Sequence, residues 1–347
     1  MTDFNLSCPL PISERKTVVL GHGSGGKMSA RLIRDLFLPA FGNEVLDRLD
    51  DQAVLSAGPA RIAFTTDSFV VTPLFFPGGD IGKLAVHGTI NDLAMSGAAP
   101  LALSAAFILE EGFPMEELER VVASMAEASR AAGVPIATGD TKVVPRGAAD
   151  RMFVTTSGVG LVPEGVNIGA RFARPGDRIL LSGAIADHGM AVMSQREGLE
   201  FEGDLASDTA ALHRLVAEML EAGEIHAMRD PTRGGLGATL VEIAAAAGIG
   251  VEAEAAAIPV HDPARAACEL LGIDPLFVAN EGKLAAFVAP GSAERVLAAM
   301  RANPLGREAV MIGEAVAEHP GLVLLRTEVG GRRIVDLPLG EQLPRIC

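Results

Sequence analysis

A chain of 347 residues with 44 acidic against 29 basic side chains, net charge −15, is not built to track nucleic-acid phosphates, because that binding depends on clustered Lys and Arg. Trp and Tyr are absent, which restricts base-stacking platforms to Phe and His, and an anionic substrate would need a divalent metal here. With 49% hydrophobic residues the length favours two packed domains, and three widely spaced cysteines, Cys8, Cys268 and Cys347, suggest free thiols rather than a disulfide framework or a zinc site.

The opening Met1-Thr2-Asp3-Phe4 has no basic leader, and the most apolar stretch, residues 98–109, is too short to cross a bilayer, so a cytoplasmic protein is expected. Residues 17–20 read as a short strand. They are followed by Gly21-His22-Gly23-Ser24-Gly25-Gly26-Lys27 and a helical pattern from near Ser29. Glycine lets backbone N–H groups approach phosphate oxygens with no Cβ in the way, and Lys27 adds a point charge. Met28 stands where a Walker A loop has Ser or Thr, so the motif is not that loop, and a plain turn is the alternative.

Short apolar runs at 61–66, 101–109, 153–162 and 178–181 alternate with segments of helical period, which predicts a mixed α/β class. Residues 83–96 read as a helix with Gly88 four positions before Asp92 and His87 four before Asn91. Gly88 is expected to open space beside the Asp92 carboxylate, against the alternative of a solvated face. A second helix starts at Pro114 with Glu116 and Glu117 in its first turn, is expected to bury Leu118, Val121, Val122 and Met125, and stops at Gly133. A third spans about 234–247, with Leu236, Leu240, Ile243 and Ala247 on one face and Gly248 as its stop.

The Gly- and Pro-rich stretch 163–176 lies between two strand-like runs and reads as the link between a domain over 1–162 and one over 170–334. Beyond Val335, Pro338 and Pro344 oppose helix and central strand, so 335–347 reads as a flexible, extended tail.

Acidic residues recur at what read as the ends or turns of apolar elements: Asp50-Asp51, Asp67, Asp92, Asp140 and Asp230. Several carboxylates from different elements can converge to hold Mg²⁺ against a phosphate, although each alone reads as a turn or cap residue. Asn280-Glu281-Gly282-Lys283 lies between two apolar runs, where Glu281 suits a general base or a surface turn. Asp187-His188-Gly189 is a similar case, with His188 a possible site residue or one that satisfies local structure.

The chain ends on Cys347, too near the terminus for a prenylation box. Its last ten residues can reach roughly 33 Å, enough to enter a cleft of the same chain. Arg345 is expected to favour the thiolate, and the terminal carboxylate to oppose it.

Taken together, Gly21-His22-Gly23-Ser24-Gly25-Gly26, Asp50-Asp51-Gln52-Ala53-Val54, Thr65-Thr66-Asp67, Asn91-Asp92, Thr138-Gly139-Asp140-Thr141-Lys142, Asn280-Glu281-Gly282-Lys283 and the terminal Pro344-Arg345-Ile346-Cys347 resemble the HypE family of hydrogenase maturation proteins over nearly the whole chain. That family shares a superfamily with aminoimidazole ribonucleotide synthetase, selenophosphate synthetase and thiamine monophosphate kinase. The internal motifs point to the superfamily, and the Pro-Arg-Ile-Cys end points to HypE.

The resemblance implies a two-domain, PurM-like mixed α/β fold whose N-terminal sheet pairs across a homodimer, with ATP in the cleft. It implies that a HypF-like carbamoyltransferase loads Cys347, that the chain uses ATP to dehydrate the carbamoyl group to a thiocyanate, and that the cyano group passes to iron on a HypC–HypD scaffold. By the same carry-over Asp51, Asp67, Asp92 and Asp230 are Mg²⁺ ligands, with Asp92 and Lys142 also in the catalytic set beside Cys347 and Glu281. Gly23, Gly25, Gly26, Lys27 and Lys142 contact phosphates, Asn91, Thr138, Gly139 and Asp140 contact the nucleotide, and Glu281 is the base. Selenophosphate synthetase would need a reactive Cys in the glycine-rich region, where this chain has none. A non-catalytic scaffold that offers Cys347 only as a docking thiol leaves the carboxylates unexplained.

Overall fold

A computed structural model describes residues 17–347 apart from 24, 200–202, 328–329, 339–342 and 344, so Cys8 and Ser24 lie outside the described residues. The first half contains α1 (Lys27–Leu32), a π-helical turn Ile33–Phe37, α2 (Leu38–Phe41), β1 (Ala53–Ala57), β2 (Ala60–Phe69), β3 (Phe75–Phe76), β4 (Gly79–Asp80), α3 (Ile81–Met95), β5 (Ala99–Glu110), α4 (Met115–Ala132), β6 (Ile136–Val144) and β7 (Met152–Val162). Five strands form one sheet in the order β1-β2-β7-β5-β6, with β5 and β6 parallel and the other neighbours antiparallel.

Residues 17–20 do not make the expected strand; Leu20–Gly23 turn as a 3-10 helix, as suits three glycines in six residues. The helix after 80 begins two residues earlier than its apolar period suggests, because the Asp80 carboxylate accepts from the N–H groups of Gly82 and Lys83 at 2.7 and 3.1 Å and caps it. α4 ends as expected at Gly133, whose φ of 74° closes the helix in the left-handed region. Its buried stripe runs through Val121, Met125, Ala128 and Ala132, while Val122, one residue off that stripe, is exposed.

The second half contains β8 (Arg178–Leu181), α5 (Asp187–Glu197), α6 (His213–Ala222), β9 (Ile225–Arg229), α7 (Gly235–Ala247), β10 (Gly250–Glu254), α8 (Asp262–Leu271), β11 (Ala285–Val288), α9 (Ala293–Ala302), β12 (Val310–Val316), β13 (Val323–Arg326) and β14 (Arg332–Val335). Its seven-stranded sheet has the order β14-β13-β10-β12-β8-β11-β9. β9 and β11 are buried along their full lengths and β8 from Ile179 to Leu181, and one apolar cluster gathers Ile179, Leu181, Leu236, Leu240, Ile243 and Phe287. Among the described residues no helix is long and apolar enough to cross a membrane.

Strand alternation sorts the five-stranded sheet into two faces. Ala63, Thr65, Asp67 and Phe69 of β2 lie on the face that α3 covers, where Thr89 and the Ala85 carbonyl of α3 bond Thr156 of β7. The opposite face is open, with Phe64, Ile108, Val159 and Leu161 all more than a third exposed.

The described end of the tail is docked. The N–H groups of Val70 and Thr72 donate to the carbonyls of Cys347 and Arg345 at 3.0 and 3.2 Å, so residues 345–347 pair antiparallel with the chain just beyond β2. Ile346 is 3% exposed and joins the cluster that holds Phe69, Val71 and Val192.

Candidate active site

Three elements of the first half, two of the second and the tail contribute to one site at Cys347. Asp51 stands just before β1, Asp67 on the inner face of β2, Asp92 on α3, Asp230 directly after β9, and Glu281 in the turn before β11. Asp67 lies within β2 rather than at its end, because the strand runs on to Phe69; alternation from the buried Ala63 and Thr65 turns its carboxylate toward α3. Thr65 donates to Asp92 Oδ2 at 2.7 Å and Thr89 to Asp67 Oδ2 at 3.4 Å, which orients two of the acids.

These acids share a dry site and repel one another. Burial pushes Asp51 from its usual 3.8 to about 6, against the pull of Arg229, whose Nε lies 3.0 Å away. Burial, then Asp67, Asp230 and Asp51, holds Asp92 well above the ordinary carboxylate range, and burial with Asp51 and Asp67 does the same for Asp230. Glu281 is raised by burial and then by Asp230, Asp208 and Asp67. The Cys347 thiol is pushed up to about 12, chiefly by burial and opposed by Arg233, so the docked tail carries a neutral thiol.

A folded-state value above the unfolded one means that the protonated acid stabilises the fold. For Asp51 that stability is full below about pH 4 and is lost as pH rises through about 6; for Asp92, raised well above its ordinary value by burial and then by Asp67, Asp230 and Asp51, the sign is the same. Asp92→Asn, which keeps an oxygen for Thr65 and removes the charge, is therefore expected to stabilise the metal-free chain at pH 7 by about 0.5–2 kcal/mol. A thermal melt in chelator at pH 7 in which the variant unfolds earlier than the parent would contradict the repulsion argument.

The acids suit a hard cation in donor type and charge: Glu281 Oε1 is buried with no hydrogen-bond partner among the described residues, whereas Asp208 Oδ2 beside it is neutralised by Lys283 Nζ at 3.3 Å. Among the described residues no three His, Cys, Asp or Glu side chains are grouped to hold one ion. A Mg²⁺ ion bound here would therefore take only one or two of these carboxylates and complete its shell with waters and substrate phosphates.

The cation that faces the thiol is Arg233, which the sequence reading passed over. Its charge is stabilised first by Cys347 when that sulfur is a thiolate and then by Asp67, Glu281 and Asp92, and its Nη1 donates to the Gly23 carbonyl at 3.3 Å. Arg345, expected to favour the thiolate, points elsewhere: it pairs with Asp150 and donates from Nε to the Val70 carbonyl at 2.9 Å. Gly23, Ser68, Arg233, Phe277 and Cys347 line a cavity of about 180 Å³. Whole small-molecule sites run to about 300–1,000 Å³, so with the tail in place there is room for part of a ligand.

Other expected site residues are placed differently. A Cβ on Gly26 would meet the Pro338 carbonyl at 2.4 Å, so glycine there admits the approaching tail. Lys27 is paired with Asp336 of that tail instead of presenting a free charge. Gly25 has φ +76° and lies against Arg233. The space beside Gly88 is filled by the Phe69 ring, 3.0 Å from where a Cβ would stand, so it is a packing contact and no opening beside Asp92. Asn91, 1% exposed, donates both amide N–H bonds to the carbonyls of Ala210 and Glu281 and accepts from Leu212 N–H, joining the two halves of the chain.

Thr138, Gly139, Asp140 and Lys142 lie inside β6, not at a turn. Paired residues share a face, and Asp140 opposes Ala106, which opposes Thr155, which opposes Ser68. Thr138, Asp140 and Lys142 therefore lie on the open face, three strand spacings or about 14 Å from β2 and on the side away from Asp67. Lys142 pairs there with Asp140 at 2.7 Å.

Comparison with known proteins adds three findings. The AIR synthase related protein N-terminal domain matches residues 49–162, and the C-terminal domain matches 174–324. The carbamoyl dehydratase HypE of Azotobacter vinelandii is 58% identical over 332 residues, covering 95% of this chain and 97% of the relative. Among solved structures, HypE in complex with ATP superimposes with a TM-score of 0.81 at 51% identity, covering 95% of this chain and 100% of that one. A HypE–HypF complex gives 0.85 at 49%, covering 88% and 99%.

Proposed function

We propose a function from the premise that the chain belongs to the HypE family of carbamoyl dehydratases, within the AIR synthase related proteins. It uses ATP to dehydrate a carbamoyl group carried on its own Cys347 to a thiocyanate, the source of cyanide ligands for the iron of a nickel-iron hydrogenase. What supports this most directly is the seating of the terminal thiol in a cavity lined also by Arg233 and within the field of Glu281 and Asp67.

The carbamoyl oxygen leaves poorly, so it takes the γ-phosphoryl group of ATP and ADP departs. The C–O bond then breaks with its electron pair going to phosphate, two N–H protons are lost, and the C–N bond becomes triple. Glu281 accepts a proton from nitrogen, and Arg233 stabilises negative charge gathering at the carbamoyl oxygen and the entering phosphoryl group. Asp51, Asp67, Asp92 and Asp230 would hold Mg²⁺, which when bound offsets phosphate charge. The neutral, buried thiol form also fits loading of the thiol outside the cleft, by a HypF-like carbamoyltransferase, before the tail docks.

The apolar open face of the five-stranded sheet supports a homodimer in which a second sheet covers it. Lys142 lies on that same face, so a dimer is also the route by which it would reach a nucleotide. Transfer of the cyano group to a HypC–HypD scaffold, in the cytoplasm, completes the reading.

Incubation with a HypF-like enzyme, carbamoyl phosphate and Mg²⁺-ATP is expected to leave a C-terminal peptide one water lighter than its carbamoylated form. A carbamoyl adduct that persists while ATP is consumed would remove the dehydratase reading. Light scattering that gives the mass of one chain would remove the dimer.

A further inference from the structure

His188 is fully buried at the start of α5, and its two ring nitrogens face opposite ways. Nε2 lies 3.0 Å from the carbonyl of Ile346, the residue before the carrier cysteine, and Nδ1 lies 2.8 Å from the Ser207 hydroxyl. A carbonyl only accepts, so Nε2 carries the hydrogen; in the neutral ring Nδ1 then accepts from Ser207. Burial favours that neutral ring.

The segment that holds His188 also holds Glu281. Asp208 Oδ1 accepts from the Glu281 N–H at 3.0 Å, and Lys283 Nζ lies 3.3 Å from Asp208 Oδ2. The Ala210 N–H reaches the Glu281 carbonyl at 3.4 Å. A Cβ on Gly282 would stand 1.8 Å from the Asp208 carbonyl, so only glycine admits this contact. The same segment is anchored on the N-terminal half, where Ser207 N–H donates to the Pro77 carbonyl at 2.8 Å and the Thr209 hydroxyl lies 3.0 Å from His87 Nδ1. From the other side, Gly189 N–H donates to the Ala279 carbonyl at 3.1 Å, tying the first turn of α5 to the stretch that leads into Glu281.

We propose that His188 is a positioning residue for the dehydration: it holds the tail by the Ile346 carbonyl and, through residues 207–210, fixes the carrier carbon against Glu281. The tail is then recognised by backbone at a set distance from its end, which suits a carrier whose last residue must arrive within reach of a buried base. This rests on the reading above that Cys347 and Glu281 are the reacting pair. The geometry that joins them is the observation: one imidazole bonded at one nitrogen to the tail and at the other to the loop that bonds the base.

The test uses the full chain, carbamoylated on Cys347 by a HypF-like enzyme and then mixed with excess Mg²⁺-ATP. The C-terminal peptide is followed by mass spectrometry through a single turnover. His188→Ala is expected to dehydrate about 10²-fold more slowly, the scale of an ångström misplacement, with ATP affinity unchanged. His188→Gln, whose amide N–H can still reach the Ile346 carbonyl, is expected to recover most of the rate.

Wild-type speed in His188→Ala overturns the proposal, as does a His188→Gln variant that is as slow as alanine. If His188→Ala does not fold, Ser207→Ala, which removes only the group that holds Nδ1, is read in the same assay, and a rate equal to wild type overturns the proposal. Should the wild-type protein itself yield no thiocyanate, the functional reading fails. The clasp is then still tested by hydrogen exchange at the N–H groups of Val70 and Thr72, which is expected to quicken in His188→Ala or Ser207→Ala and not in His188→Gln.

Discussion

Cys347→Ala is expected to abolish product formation while the fold and ATP binding persist. The tail is seated by groups that alanine keeps: the Cys347 carbonyl at Val70 N–H, the Arg345 carbonyl at Thr72 N–H and Arg196 Nη2, and the buried Ile346 side chain. Only the sulfur is lost, and the carbamoyl group has nowhere to go. Serine at this position also fails, since its hydroxyl is a far weaker nucleophile than a thiolate near neutral pH. Residues appended after Cys347 should impair dehydration as well, because they would take up the cavity of about 180 Å³ that the docked tail leaves for the reacting groups and would displace the reacting carbon. Cys268 cannot substitute: it is 1% exposed and held within α8, so unlike a terminal residue it cannot leave its site to be loaded. Mass spectrometry of the C-terminal peptide decides this; a cyano adduct on Cys268, or an unmodified Cys347 in a fully active mixture, would end the terminal-carrier mechanism.

Glu281→Gln is expected to bind ATP normally and to lose about 10²- to 10⁴-fold in dehydration rate, the usual worth of a general base. The amide keeps the shape, and the backbone of residue 281 remains fixed by Asp208, Ala210 and Asn91. What goes is the basic oxygen, and Oε1 in particular has no hydrogen-bond partner among the described residues, so it is unoccupied for a substrate proton. Because burial and neighbouring acids raise Glu281, only its ionised fraction can act; the wild-type rate should climb with pH through that raised range and the residual rate of the Gln variant should not. Poor ATP binding with normal dehydration at saturation would instead make Glu281 a binding residue.

The mixed α/β class and the types of the main helices and strands were legible in the sequence because their signals are local. Gly133 and Gly248 stop α4 and α7 through left-handed backbone that other residues resist, and the apolar periods of Leu236, Leu240 and Ile243 are a property of a single helix. Each acid of the site was also legible, one motif at a time, as was the unusual terminal thiol.

What the sequence did not hold was adjacency. It favoured Arg345 as the cation for Cys347 because the two are neighbours along the chain, whereas the fold turns Arg345 to Asp150 and supplies Arg233 from the loop after β9. A signal was available in the two arginines that bracket Asp230 in an acidic protein. Lys142 reads as a phosphate ligand, but within one chain the strand order puts β6 three strand spacings from β2 and alternation puts its side chain on the face away from Asp67, which the sequence could not show. His188 looked like a lone histidine, and its meaning lies in a carbonyl 158 positions away. Caps, glycine stops and apolar periods act over one turn of helix or one strand and so are set by composition. The meeting of Asp51, Asp67, Asp92, Asp230, Glu281, Arg233 and Cys347 depends on which strands pair and where the tail docks, which only the packing of two sheets and the burial of Ile346 decide.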